Sequence, residues 1–298
     1  MDTFLMSDNH KIKYKKSRQE TAKAISKYSV LTLKYVILCL FVLIVFLPII
    51  PILFGSLKDG NEFFASGVLD FPKSWKWGNY KTAFFDGNML RGFINTFIIM
   101  IIALIVSVLT GAMTAYVLHR FQFRGQKLVK NLFLLATLIP NITNNIATFQ
   151  IITRLNLFNT RWAGIILFSC ADIISVYIMM QFLDSISKSL DESAMIDGAS
   201  YLRIFLVIIF PLLMPAVITV FIIKGVAIYN DFVTPFLFMP SPDLAMISTA
   251  LYNFRGPYAA RWEVISAGVI LITLPVLVLF IISQKWIYNG LVLGSVKG

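Results

Sequence analysis

Side chains able to do covalent or metal chemistry are few in this 298-residue chain, and they are scattered. The two histidines, His10 and His119, lie far apart in sequence. Cys39 and Cys170 each sit in an apolar block, with neither metal-ligand spacing nor a disulfide framework. No Gly-x-x-x-x-Gly-Lys-Ser/Thr loop is present to cradle a nucleotide phosphate. The residues whose pattern suggests work are of another kind. Asp191-Glu192-Ser193-Ala194-Met195-Ile196-Asp197-Gly198-Ala199-Ser200 is followed by a mostly apolar run and then by Pro211-Leu-Leu-Met-Pro215. Asp172 and Lys224 fall inside apolar blocks, and Asn230-Asp231 close one. Ions inside a bilayer are costly and face a partner or a wet cavity. The chemistry on offer is therefore mechanical and electrostatic. No catalytic residue, metal or bound cofactor is expected.

The elements that must position these residues follow from composition. Hydrophobic residues make up 58% of the chain and charged residues only 14%, against roughly half and a quarter in soluble domains. The excess is gathered in blocks of about 20 residues, the length that crosses a ~30 Å hydrocarbon core. Six spans are expected: Tyr35–Phe54, Phe93–Leu118, Leu132–Ile152 with Pro140 inside it, Trp162–Leu183, Ile204–Tyr229 and Val264–Ile282. The fold class is thus an all-α integral membrane protein. Its organisation is a basic N-terminal tail over 1–34, a first helix with its outer loop over 35–91, a five-helix core over 92–284 with an inner loop at 184–203, and a tail over 285–298. The first apolar run starts late and is too long for a signal peptide, so no cleaved leader is expected.

The formal net charge of +11 does not point to nucleic acid, because the densest basic stretch, Lys11 to Lys34, directly precedes the first apolar block. Such a stretch orients a membrane protein and also attracts anionic lipid. With the N-terminus inside, sixteen of the 26 Lys and Arg fall in inner segments and nine in outer ones. Both termini are therefore expected in the cytoplasm. The outer loops 55–92 and 230–263 are long and rich in turn residues.

The inner loop carries Ile186, Leu190, Ala194 and Met195 at helical spacing, so it is expected to form a short amphipathic helix at the membrane surface. Ser187 or Ser189 would cap it, and Asp191 and Glu192 would favour its first turn. Gly198 permits a sharp turn. Pro211 and Pro215 each remove a backbone donor and bend the following span. A rigid cytoplasmic knob joined to a kinked span is a lever. An ordinary amphipathic loop helix is the alternative on these grounds alone.

The pattern also resembles the EAA loop of ABC importer permeases: Glu-Ala-Ala, two residues, Asp-Gly-Ala, then an apolar run ending in Leu-Pro with a second Pro. Glu192, Ala194, Asp197, Gly198, Ala199, Pro211 and Pro215 match, while Ser193 and Phe210 depart. Ala115–Lys127, Asn79-Tyr80, Asn95, Leu157–Trp162 and Tyr229–Phe232 look like segments of the carbohydrate branch of that family. The end, Gly290–Gly298, is similar to the terminus of the maltose-type second permeases. The resemblance runs from about residue 35 to 298, and the first thirty residues lie outside it.

The resemblance implies a type I importer fold in a bacterial plasma membrane, paired with a second, related permease. Two ATPase subunits, which bind ATP and Mg, are implied below, and a substrate-binding protein outside. The EAA helix would dock in an ATPase groove through Glu192, Ala194, Asp197, Gly198 and Ala199, with Val296 and Lys297 of the tail touching the ATPase pair. The cargo implied is a carbohydrate, an oligosaccharide; a peptide or polyol permease of the same fold is the neighbouring reading. A secondary transporter would need internal repeats, and none is visible. The loop bearing Phe254, Gly256 and Tyr258 corresponds to one that enters the binding protein. Asp172 and Lys224 depart from the small or neutral residues usual there. They read either as a self-neutralising pair or, with Asn230 and Asp231, as part of the translocation path; displaced span edges are the third possibility. An anionic sugar would suit Lys224 if the pair is absent.

Overall fold

The computed structural model describes residues 30–136, 138–139, 141–255 and 260–295. Among them the chain is almost entirely helical. Fourteen helices are labelled here in chain order. The first three are α1 (Val30–Leu57), α2 (Gly60–Ala65) and α3 (Gly78–Asp86). They are followed by α4 (Met89–Arg120), α5 (Gln126–Ala136), α6 (Asn141–Arg154), α7 (Arg161–Ser169) and α8 (Ile173–Leu183). Then come α9 (Ser189–Ile196), α10 (Tyr201–Leu212), α11 (Met214–Asn230), α12 (Val233–Phe238), α13 (Ile247–Ala250) and α14 (Trp262–Ser295).

Helix α4 organises the rest. It packs against α7, α8, α11 and α13, and α14 packs against α1, α3 and α11. The face α4 buries mixes large apolar residues with small ones, among them Gly92, Ala103, Ser107, Gly111, Ala112 and Ala115. Small residues let helix backbones approach closely in a medium where apolar contact alone gives no advantage over lipid. Three apolar clusters line this axis. One, around Tyr116, Met179, Leu183, Phe205 and Leu213, joins the end of α4 to α8, α9 and α10. A second holds Ile99, Leu104, Ile165 and Phe238, and a third holds Met89, Tyr229, Ile247 and Val264.

Three described helices are long and apolar enough to cross a membrane: α1, α4 and the Trp262–Gln284 part of α14. Two bent pairs raise the number to five if each is one span: α7 with α8, bent by 40°, and α10 with α11, bent by 75°. The apolar window of α1 has no buried residue, so its whole circumference presents side chains that only lipid or another protein chain can cover. The third expected span, 132–152, falls on α5 and α6. These have 11 and 14 residues, too short singly for a ~30 Å crossing at 1.5 Å per residue. Pro140 lies outside the described residues. The last helix exceeds its expected limit at Ile282, because Pro275 is accommodated within it and it continues to Ser295.

The described segments that join α1 to α4 and α11 to α13 fold onto the bundle. Asn79 donates to the carbonyls of Ser56 and Lys58 at 2.9 and 2.7 Å, closing the end of α1. Fully buried Asn95 donates to the carbonyls of Asp243 and Ala245 and accepts from Arg161 Nε at 3.1 Å. Thr96 Oγ1 accepts the Ile247 N–H at 2.9 Å. One helix thus holds the 239–250 segment by two adjacent buried polar side chains. Unsatisfied polar groups there would cost about 1–3 kcal/mol each.

Candidate coupling and translocation sites

The 184–203 loop forms a one-sided knob. Helix α9 has Asp191 and Glu192 in its first turn, where carboxylates favour the helix dipole. Its N-cap residue is Lys188, not a serine as expected. Ser187 Oγ instead accepts from the Ser189 N–H at 3.3 Å and pairs with Ser189 Oγ at 2.8 Å. The C-terminus closes by two bonds, Gly198 N–H to Met195 O and Ala199 N–H to Ala194 O, both at 3.0 Å. This is the Schellman arrangement, which needs a left-handed residue one past the cap. Gly198 supplies it with φ of +79°, and open space surrounds the position a Cβ would take. The glycine is therefore required by backbone conformation and leaves a bare outer surface. Ser200 then caps α10 by accepting from Arg203 N–H.

The matching residues divide into two faces. Glu192, Asp197 and Gly198 are exposed, and Ile196 is 86% exposed. Ala194 is buried, and Ala199 is half-buried against the same apolar cluster as Tyr116 and Leu183. Ala194 and Ala199 thus hold the knob down, while Glu192, Ile196, Asp197 and Gly198 present it. Leu190 and Met195, expected to face the apolar side, are 41% and 39% exposed. An eight-residue helix turns too few times to bury both.

A polar clamp that the sequence reading missed fixes the knob to the end of α4. Tyr116 Oη donates to Asp191 Oδ1 at 2.7 Å. Arg120 Nε stands 3.2 Å from Asp191 Oδ2, with side-chain exposures of only 6% and 10%. That contact is ionic and lacks hydrogen-bond alignment. Arg120 Nη2 donates to the Ile186 carbonyl at 2.9 Å, and His119 Nε2 meets Asp184 Oδ1 at 2.9 Å. Tyr116 also packs its ring against Phe121 and Phe205. The only sequence signal was a cationic helix end, His119-Arg120, and an acidic loop some 65–75 residues later.

From the knob the chain enters α10, where Phe205–Ile209 adopts a π-helical turn. A π-turn marks an inserted residue in a helix and is common at functional bends. It is followed by Pro211, the turn at Leu213, and Pro215, and α10 and α11 diverge there by 75°. The expected kink is thus present and is sharper than one proline produces.

Asp172 and Lys224 meet. Lys224 Nζ donates to Asp172 Oδ2 at 3.2 Å, to Ser107 Oγ and to the Cys170 carbonyl. Asp172 also caps α8, accepting from Ser175 N–H at 2.8 Å and Ser175 Oγ at 2.7 Å. Of the other path candidates, Asp231 accepts from the N–H and hydroxyl of Thr234, both at 2.9 Å, and so shapes the start of α12. Asn230 is exposed and donates to the Val226 carbonyl. Phe254 is partly buried in the cluster around Met89 and Val264. Gly256, Tyr258, Val296 and Lys297 lie outside the described residues. No cluster of three or more His, Cys, Asp or Glu suited to a metal exists among the described residues.

A family described as "binding-protein-dependent transport system inner membrane component" matches residues 107–292, which hold α8 to α11, the clamp and the knob. The chain belongs to this family. Its relatives include the galactooligosaccharides transport system permease protein GanQ of Bacillus subtilis (strain 168). That protein is 32% identical over 279 residues, covering 92% of this chain and 98% of the relative. The melibiose/raffinose/stachyose import permease protein MelC of the same organism is 31% identical over 255 residues, covering 85% and 92%. The fold is that of a chain in the crystal structure of a bacterial ABC transporter involved in the import of the acidic polysaccharide alginate. The two superimpose with a TM-score of 0.73 at 20% identity, over 85% of this chain and 94% of that one. As an inner membrane transport component, the chain takes part in moving solute.

Proposed function

We propose that this chain is the permease subunit of an ATP-driven importer for oligosaccharides, with six spans, both termini cytoplasmic, and α9 as its EAA coupling helix. The observation that carries the reading is the rigid knob: a capped helix whose Glu192–Gly198 face is exposed while its opposite face is clamped to α4. The names of the relatives, galactooligosaccharide and melibiose/raffinose/stachyose permeases, support a carbohydrate cargo. The partners are a second permease, a pair of ATPases that bind ATP and Mg, and an external binding protein. Val296 and Lys297 join the ATPase contact, and Gly256 and Tyr258, with Phe254 as their base, belong to the loop facing the binding protein.

In this reading ATP closes the ATPase pair, which carries the knobs with it. Buried Asp191, Tyr116 and Arg120 pass that displacement to α4, and the α10–α11 bend passes it to the outer half of the bundle. A ligand shifts such an equilibrium only through contacts that differ between states, and the exposed knob face is where those contacts form. The test is reconstitution of the whole assembly in proteoliposomes with binding protein. Accumulation of a neutral oligosaccharide that requires internal ATP is expected. Accumulation driven by an ion gradient without ATP would overturn the proposal.

A further inference from the structure

The Asp172–Lys224 cluster has an asymmetry that its ion pairing does not explain. The Lys224 side chain is 11% exposed, while that of Asp172 is 43% exposed. An ammonium has three N–H donors. Those of Lys224 meet three acceptors: Ser107 Oγ, the Cys170 carbonyl and Asp172 Oδ2. The lysine has nothing left to offer a solute. Asp172 Oδ2 accepts from Lys224 and Ser175 Oγ, but Oδ1 accepts only from the Ser175 N–H. One carboxylate lone pair therefore stays open on the exposed edge.

The surroundings say what that edge faces. Asp172 is midway along the 161–183 stretch, at the break where α7 and α8 part by 40°. Residues 170–172 are not helical, and Cys170 is exposed. Non-helical backbone at membrane depth persists only inside protein or beside a water-filled cavity, and an open carboxylate cannot face lipid. Thr110, one turn from Ser107 on α4, is also exposed. In secondary transporters, broken helices that expose backbone ends and polar side chains at mid-depth bind cargo, and the same physical need for a polar lining applies here.

We propose that the break at Cys170–Asp172 is a cargo-contact site in the translocation path. There the Asp172 carboxylate accepts hydroxyl hydrogens of an uncharged polyhydroxylated solute and repels anionic ones. Lys224 is its positioning residue: the ammonium, tied to Ser107 and the Cys170 carbonyl, holds the carboxylate in place. The inference rests on the import reading and narrows its cargo to neutral sugars. Because the lysine is spent within the pair, it reverses the expectation that Lys224 would welcome an anionic sugar.

The test uses the native Cys170 as a reporter in the complete assembly, with Cys39→Ser to remove the other thiol. Cationic and anionic methanethiosulfonates of equal size are applied from water, and each rate is divided by that for a free cysteine. The cationic reagent should react faster by a small factor, because the exposed edge is the carboxylate while Lys224 offsets much of its charge. Asp172→Asn should invert the preference, because Lys224 is then uncompensated. Asp172→Asn/Lys224→Met should bring the ratio near one and stands in if the single variant does not assemble. Neutral oligosaccharide delivered by the binding protein should slow both reagents in the parent protein. Silence of Cys170 toward both reagents, or a ratio indifferent to Asp172→Asn, overturns the inference. An assembly that accumulates neutral oligosaccharide with ATP while giving either result loses this site but keeps the importer. One that accumulates nothing with ATP loses the importer itself.

Discussion

Helix α4 contributes to two ion-pair clusters, and they differ in how far they are closed off. At its C-terminal end Arg120 meets Asp191, and both side chains are closed off, at 6% and 10% exposure. Nine to thirteen residues earlier, roughly 14–20 Å along the axis, Ser107 supports Lys224 and Asp172, and one partner stays 43% exposed. A closed pair between two elements makes them move as one body. A half-open pair holds its shape while offering charge to whatever passes. The same helix therefore borders a closed joint at one end and, near its middle, the half-open pair proposed to face solute. The joint lies beside the knob proposed to meet the ATPase, and the open pair lies at the break in the α7–α8 span.

The comparison breaks most sharply at the joint. Arg120→Ala strands the Asp191 carboxylate in a buried site, and losing one partner of a buried pair costs about 3–5 kcal/mol. The variant should lower the melting temperature of the purified assembly and abolish uptake. Arg120→Met with Asp191→Leu should recover much of the stability. If it also recovers full coupling, the joint is only packing. Next in size is Asn95→Ala, which frees two carbonyls of the 243–245 segment and costs about 1–3 kcal/mol. Thermal unfolding should report it, with ATPase coupling unchanged because the lesion lies far from the knob. The smallest effect is expected at Arg91→Ala. Its ion pair with Asp243 is exposed on both sides, at 55% and 76%, and is worth at most about 1 kcal/mol. A change in melting temperature as large as that of Asn95→Ala would show that exposure misranks these contacts.

How much was legible beforehand follows from the range of each interaction. The knob was readable because its parts are consecutive. Glu192, Gly198, Pro211 and Pro215 sit within two dozen residues, and capping, left-handed turns and proline bends are local effects. Asp172 and Lys224 stood out because charge in an apolar block is conspicuous, and pairing was one of the readings left open. The clamp was invisible because Tyr116 and Asp191 are 75 residues apart and only helix packing brings them together. Asn95 and Thr96 were hidden for the same reason, with partners about 150 residues away. The third expected span, 132–152 with Pro140 inside it, falls on two helices, α5 and α6, because apolar content marks a block and does not fix where its helices end. Residue type suggests Ser187 or Ser189 as the cap, while the backbone places Lys188 there.

The central claim is that the exposed face of α9 is where the ATPase grips this chain. Gly198 has φ of +79° and open space around it, so an aspartate there adds bulk and charge to the docking surface. It also strains the turn by about 1–2 kcal/mol. The direct measurement is ATP hydrolysis stimulated by the loaded binding protein, together with uptake, for Gly198→Asp and Glu192→Ala in the reconstituted assembly. Both should lose most stimulation and uptake. Ile196→Cys should in addition cross-link to a cysteine in the ATPase groove. Normal stimulated hydrolysis and uptake in Gly198→Asp, with no cross-link from position 196, would contradict the account.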